Sequence, residues 1–218
     1  MNKIKLAALA AVCLLYPLSA ACDETSGYYA GLYAGYGKTH DSKLRIEGYP
    51  PGTLLFEPSY RLGGIAGYDF AGPLRVELDI AWRTAGIDGL EAPAVGKIAA
   101  IGELTALSGL VNLLYEFPVE GRLQPHIGAG LGAVRLGLND AVVDVPGVGL
   151  TPVADDSVIV PAWQLLGGVS WPLGQTLDLT VEYRLFGAIG PEFVGAGSTK
   201  VEADYTDSTL SLGLRVGF

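Results

Sequence analysis

Between Leu74 and Arg83 the chain reads LRVELDIAWR, which sets Leu74, Val76, Leu78, Ile80 and Trp82 on one face of an extended segment against Arg75, Glu77, Asp79, Ala81 and Arg83. On a helix this period of two would scatter charge around the whole circumference. On a strand it separates the two chemistries completely. Such a strand needs an apolar medium on one side and paired ions or water on the other, which leaves few folds open to the chain.

The same period recurs along the sequence and predicts eight strands. Gly27 to Lys38 sets Tyr28, Ala30, Leu32, Ala34 and Tyr36 against Tyr29, Gly31, Tyr33, Gly35 and Gly37. Ser59 to Phe70 sets Tyr60, Leu62, Ala66, Tyr68 and Phe70 against Arg61, Gly63 and Asp69. Leu74 to Arg83 is the third. Thr105 to Phe117 opposes Leu107, Val111, Leu113, Tyr115 and Phe117 to Ser108, Asn112 and Glu116, with Leu110 and Leu114 falling on the polar side. Pro125 to Leu136 opposes Ile127, Ala129, Leu131 and Ala133 to His126, Gly128, Gly130 and Gly132. Val158 to Trp171 opposes Trp163, Leu165, Val169 and Trp171 to Gln164, Gly168 and Ser170, and Leu177 to Phe186 opposes Leu179, Val181, Tyr183 and Leu185 to Asp178, Thr180, Glu182 and Arg184. The last strand begins near Tyr205 and ends in LSLGLRVGF, with Leu210, Leu212, Leu214, Val216 and Phe218 opposite Ser211, Gly213, Arg215 and Gly217.

The connections alternate in length. Short turns fall at 71–73, 118–124 and 172–176, and long loops at 39–58, 84–104, 137–157 and 187–204. Three short turns and four long loops are what eight antiparallel strands produce when both termini lie at one end. The mean hydropathy of +0.36 fits an apolar exterior, and closure of the ring requires the last strand to pair with the first, because hydrocarbon offers no hydrogen bonds to a free edge.

At the start of the chain Lys3 and Lys5 precede an apolar run from Leu6 to Leu18, and Ser19-Ala20-Ala21 supplies small residues before a cut. This reads as a secretory signal peptide over 1–21, followed by one β domain over 22–218. The run is shorter than the about 20 residues a membrane helix needs. Cys13 leaves with the signal and Cys22 is then alone, so the mature chain forms no internal disulfide. Ala20-Ala21-Cys22 is also part of a lipidation motif, but Ser19 stands where leucine is usual and Asp23 follows, so plain cleavage ranks above it. With 14 basic against 23 acidic residues, two of the lysines in the signal, the mature net charge is −11, which argues against nucleic acid as a partner.

An arginine or lysine at the bilayer midplane costs about 2–4 kcal/mol on the lipid face, so the charged faces turn inward. Arg61, Asp69, Arg75, Glu77, Asp79, Arg83, Glu116, Glu182, Arg184 and Arg215 then form a lumen charge network. Tyr36, Tyr60, Tyr68, Phe70, Trp82, Tyr115, Phe117, Trp163, Trp171 and Tyr183, with Phe218, become aromatic girdle residues at the two membrane interfaces.

YYAGLYAGYG, GIAGYDF, VNLLYEFP, PHIGAGLGA, VEYRLFG and LSLGLRVGF resemble the strand motifs of the OmpA-like outer-membrane β-barrels, in particular the small porin-like surface antigens of Gram-negative bacteria. The resemblance implies an all-β, eight-stranded antiparallel transmembrane β-barrel with short periplasmic turns and four longer extracellular loops. It further implies that Leu210, Leu212, Leu214, Val216 and Phe218 carry an assembly signal read by the barrel assembly machinery, and that the partners are outer-membrane lipid and lipopolysaccharide.

Eight strands enclose a space that side chains fill, whereas aqueous channels belong to barrels of about 16–18 strands. The function expected is therefore a structural, surface-exposed barrel with its lumen plugged by charged side chains and its loops available to a host or envelope partner. A small porin-like channel and a lipid A-modifying enzyme are the alternatives. The inward glycines 128, 130 and 132 lie in a strand with no following helix, so they make room for neighbouring side chains instead of cradling phosphate. The histidines number two. His126 lies beside a periplasmic turn and His40 in a solvated loop; His40-Asp41-Ser42 has the residue types of a lipid A enzyme, but adjacency is poor evidence for a catalytic geometry. No catalysis, metal or cofactor is expected.

Overall fold

The computed structural model describes residues 27–46, 52–70, 72–92, 96–145, 149–194 and 200–218, with backbone alone at 43–46, 92, 140, 141, 143–145, 149–156, 192–194 and 200–203. The signal-peptide and Cys22 expectations lie outside these residues. Twelve β segments occur among the described residues: β1 (Gly27–Thr39), β2 (Ser42–Ile46), β3 (Gly52–Asp69), β4 (Leu74–Ala92), β5 (Gly96–Ile98), β6 (Ala100–Glu116), β7 (Gln124–Val145), β8 (Gly149–Pro172), β9 (Leu177–Ala188), β10 (Glu192–Val194), β11 (Lys200–Ala203) and β12 (Tyr205–Gly217).

Eight of them close a ring. β1, β3, β4, β6, β7, β8, β9 and β12 pair in that order, every pair antiparallel, and β12 returns to β1 with Tyr29 opposite Gly217 and Thr39 opposite Asp207. Phe218 N–H donates to Tyr28 C=O at 2.9 Å, so the last residue of the chain is bonded into the seam. The start of β1, the end of β12 and the short turns lie at one end of the ring, here called the terminal end.

The opposite, distal end differs from the expected loops. Most of those segments are strand: β7 and β8 run for 22 and 24 residues, where crossing a bilayer takes about 9–11. The wall therefore continues past the apolar band by roughly ten residues, or about 35 Å of chain. On the seam side the ladders stop earlier. Gly190 adopts a left-handed φ of 59° just beyond β9, and β2, β10 and β11 resume as a separate ladder joined to β3.

Outward residues of the band are exposed apolar side chains, among them Leu32, Leu62, Leu78, Val111, Leu131 and Leu212. Leu110 and Leu114 turn inward with Asn112, in the register the alternation gives. Farther toward the distal end the polarity of the two faces exchanges while β4 and β7 keep their own phase of alternation, although the β3–β4 ladder is bulged between Phe56 and Ser59. Along β7 the outward residues pass from Ile127, Ala129, Leu131 and Ala133 to Arg135, while the inward ones pass from His126 and three glycines to Val134, Leu136 and Leu138. β4 does the same, moving from Trp82 to Thr84 and Asp88 outside, and from Asp79 and Arg83 to Ala85 and Ile87 inside.

Candidate functional site

β1 projects two tyrosines into the lumen, Tyr29 and Tyr33, each between two arginines. Tyr33 lies 4.9 Å from the Arg61 guanidinium and 4.4 Å from that of Arg184; Tyr29 lies 5.8 Å from that of Arg75 and 5.2 Å from that of Arg215. Glycines on β3 let the rings lie flat across the wall. A Cβ on Gly63 would stand 2.3 Å from Tyr33 Oη, and one on Gly67 would stand 2.4 Å from Tyr29 Cζ.

Asp79 is the hub of the central layer. Its Oδ2 accepts from Arg61 Nη2 at 2.7 Å, Arg184 Nη1 at 2.6 Å and Gln164 Nε2 at 2.9 Å, and its Oδ1 accepts from Tyr33 Oη at 2.5 Å. Arg184 also binds Glu182, whose other oxygen lies 2.9 Å from His126 Nε2. Glu77 accepts from Asn112 Nδ2 at 3.1 Å and from Tyr29 Oη at 3.3 Å. Toward the terminal end Arg75 pairs with Glu116 at 2.7 Å and Arg215 with Asp178 at 2.6 Å. Asp69 stands opposite Arg75 in the β3–β4 register. Burying ions is costly unless each is paired and hydrogen-bonded; Arg61, Asp79, Glu182 and Arg184 meet most of that demand through one another, whereas Glu77 accepts only from neutral donors and Arg61 Nη1, Arg75 Nε and His126 Nδ1 have no hydrogen-bond partner among the described residues.

Above this layer the lumen changes character. Phe186, Val134, Leu136, Leu110, Val160, Leu104 and Tyr205 pack into one cluster flanked by Phe56, Leu138 and Val158. In this distal half the strands have left the apolar band, and an apolar interior is the stable choice. Arg83 lies at the junction. It is 1% exposed, donates through Nη1 to Ser108 Oγ at 2.7 Å and stacks over Phe186 at 3.8 Å. No carboxylate pairs with it among the described residues.

Of the aromatic residues named from sequence, Tyr36, Tyr60, Phe70, Trp82, Tyr115, Phe117, Trp171, Tyr183 and Phe218 are exposed on the outer face, and Tyr68 and Trp163 are half-buried there. Several meet edge to face: Tyr36 with Tyr60 at 5.5 Å, Tyr28 with Tyr68 at 4.9 Å and Tyr115 with Phe117 at 5.2 Å. Leu210, Leu212, Leu214 and Val216 share this face. Sequence reasoning left Tyr29, Tyr33, Gln164 and His126 out of the lumen network, although all four occur in the polar phase of their strands.

His126 points into the lumen and is buried. His40 follows β1 directly and bonds not to Ser42, which is buried, but to Ser208 on β12 at 2.5 Å.

A closed antiparallel ring with an apolar exterior and a paired-ion interior is a membrane-spanning β-barrel. The model of the family described as "outer membrane protein beta-barrel domain" matches residues 6–218, and the chain belongs to that family. Among solved structures, it is similar to Neisserial surface protein A at 23% identity and a TM-score of 0.50, covering 90% of this chain and 100% of that one. It is similar also to OprG of Pseudomonas aeruginosa at 18% identity and a TM-score of 0.51, over 88% of this chain and 95% of that one. AlkL, solved in lipid bilayers, aligns at 18% identity and a TM-score of 0.51 over 93% and 95% of the two chains. No curated protein matches.

Proposed function

We propose that the chain is a structural and surface-display barrel of the outer membrane, with both termini periplasmic and the extended distal strands presented outside the cell. The observation that carries this reading is the double closure of the lumen, by the Asp79-centred ion layer and by the apolar cluster around Phe186. A chain of paired ions conducts poorly, and an apolar constriction above it excludes water. The distal hairpins supply a rigid surface for a host or envelope partner, since binding usually resides on segments held out by a scaffold. Lipid and lipopolysaccharide surround the band, and the exposed aromatic residues serve as its girdles.

Planar-bilayer recording of the purified protein tests the closure. Stable conductance steps on the scale of true porins overturn it and favour the channel reading; a silent bilayer containing folded barrel supports it. Protease cleavage of a distal hairpin on intact cells tests the orientation. The assembly role of the terminal face is tested by removing Phe218, which is expected to lower the inserted amount severalfold, and undiminished surface levels defeat it.

A further inference from the structure

One hydrogen bond between sequence-distant residues lies on the outside of the barrel. His40 Nε2 stands 2.5 Å from Ser208 Oγ, across the β1–β12 seam and 168 residues away in sequence. Both residues have outward phase, and Lys38, the register partner of Ser208, is exposed on the same face. The backbone beneath is fixed twice. His40 N–H donates to Thr206 C=O at 2.8 Å. Behind the wall the Asp207 carboxylate accepts from Ser59 Oγ at 2.6 Å, Thr209 Oγ1 at 2.6 Å and Thr39 Oγ1 at 3.3 Å, which ties β1, β3 and β12 together at this level.

The second observation is a shallow, open and mainly apolar depression of about 460 Å³ on β1, β12 and neighbouring β9, lined by Ala34, Gly35, Tyr36, Val181, Leu210, Ser211 and Leu212. It begins two residues below Ser208 and runs down the apolar band. Small Ala34 leaves the space that its larger neighbours border. A serine held by an imidazole is an activated nucleophile, here at the height where the wall passes from apolar to polar and where lipid ester groups lie.

We propose that Ser208 and His40 form a nucleophile–base dyad that hydrolyses acyl esters of membrane lipids, the ester at the polar belt and its acyl chain in the crevice. Ser208 Oγ attacks the ester carbonyl carbon while His40 Nε2 takes the hydroxyl proton. The carbon–oxygen bond to the alcohol breaks, His40 returns that proton to the leaving oxygen, and an acyl-serine remains. Water then attacks the acyl-serine, giving its proton to His40; the bond to Ser208 Oγ breaks and the serine is reprotonated, releasing a fatty acid. The Lys38 ammonium, on the same face, offsets the negative charge that develops on the carbonyl oxygen. From the proposed function this takes only the position of the apolar band in a bilayer.

The test uses the full chain folded in vesicles of phosphatidylethanolamine and, separately, of lipid A, with released fatty acid measured by mass spectrometry. A long-chain fluorophosphonate is applied in parallel. Release from either lipid and a phosphonyl adduct on Ser208 are expected, with both Ser208→Ala and His40→Asn slowing release at least about a hundredfold. Ala34→Phe, which fills the crevice, is expected to depress hydrolysis of a dodecanoate ester about tenfold while leaving a butyrate ester unaffected. Each sample is checked for the compact, heat-shifted gel band of a folded barrel. Folded unmodified protein that releases no fatty acid and takes no adduct on Ser208 overturns the proposal, as does release that persists in Ser208→Ala. Either result leaves the scaffold reading standing, and porin-scale conductance would defeat that reading while leaving the dyad intact.

Discussion

Toward the chain termini the interior is held by Arg61, Asp79, Arg184 and Glu182, whereas toward the distal end the same strands close around Phe186, Leu136, Val134 and Val160. Register is continuous through the junction on β7, where Leu131, Ala133 and Arg135 keep one phase and Gly132, Val134 and Leu136 the other. What changes is the medium outside. Against hydrocarbon the outer face must be apolar, and the residues left to fill the lumen are polar and must satisfy one another. Beyond hydrocarbon the outer face is wetted, and the interior reverts to the apolar core of a soluble sheet. Interior chemistry in this barrel is the complement of whatever touches the exterior.

The largest test of that contrast is Asp79→Ala, which leaves Arg61 and Arg184 buried without their shared partner. It is expected to cost about 3–5 kcal/mol, read as a lowered urea midpoint of the folded barrel in vesicles. In the upper layer Phe186→Ala is expected to cost about 3 kcal/mol through the cavity it leaves, and, unlike Asp79→Ala, to raise water permeability in a liposome-swelling assay. Arg83→Met sharpens the boundary between the layers. Because this guanidinium has no carboxylate partner among the described residues, an apolar replacement of similar length is expected to stabilise by about 1 kcal/mol, whereas Arg61→Met destabilises. A loss at Arg83 equal to that at Arg61 would place Arg83 in the ionic layer. Smallest of all, Arg135→Ala on the outer face, where Ser157 Oγ is its partner at 3.1 Å, is expected to move the midpoint by less than about 0.5 kcal/mol.

The lower half was legible in the sequence because its two faces differ so strongly. Arg75, Glu77 and Asp79 against Val76, Leu78 and Ile80 admit one register, and LSLGLRVGF admits one partner for closure. The distal extensions were hidden because a wetted strand shows a weak contrast. Thr84-Ala85-Gly86-Ile87-Asp88-Gly89 alternates, but its glycines and small residues look like loop chemistry, and the expected loops 84–104 and 137–157 followed from that. Individual ion partners were hidden too, since alternation gives the face of Asp79 but not which arginine reaches it across the lumen. The His40–Ser208 contact has no local trace at all. Ser42 lies closer in sequence, and only closure of the ring brings Ser208 beside His40.

The seam has a consequence for the order of events in biogenesis. β1 is synthesised first and its partner β12 last, with Phe218 itself bonded to Tyr28. No wall that contains β1 is edge-free until β12 exists, and the segment to be closed between β1 and β12 is the longest of any pairing in the ring, with the largest loop-closure entropy cost. A ribosome-bound or truncated chain can form hairpins but never a sealed cylinder. Closure is thereby tied to β12, so that a fragment lacking that strand keeps two open edges, which hydrocarbon cannot satisfy.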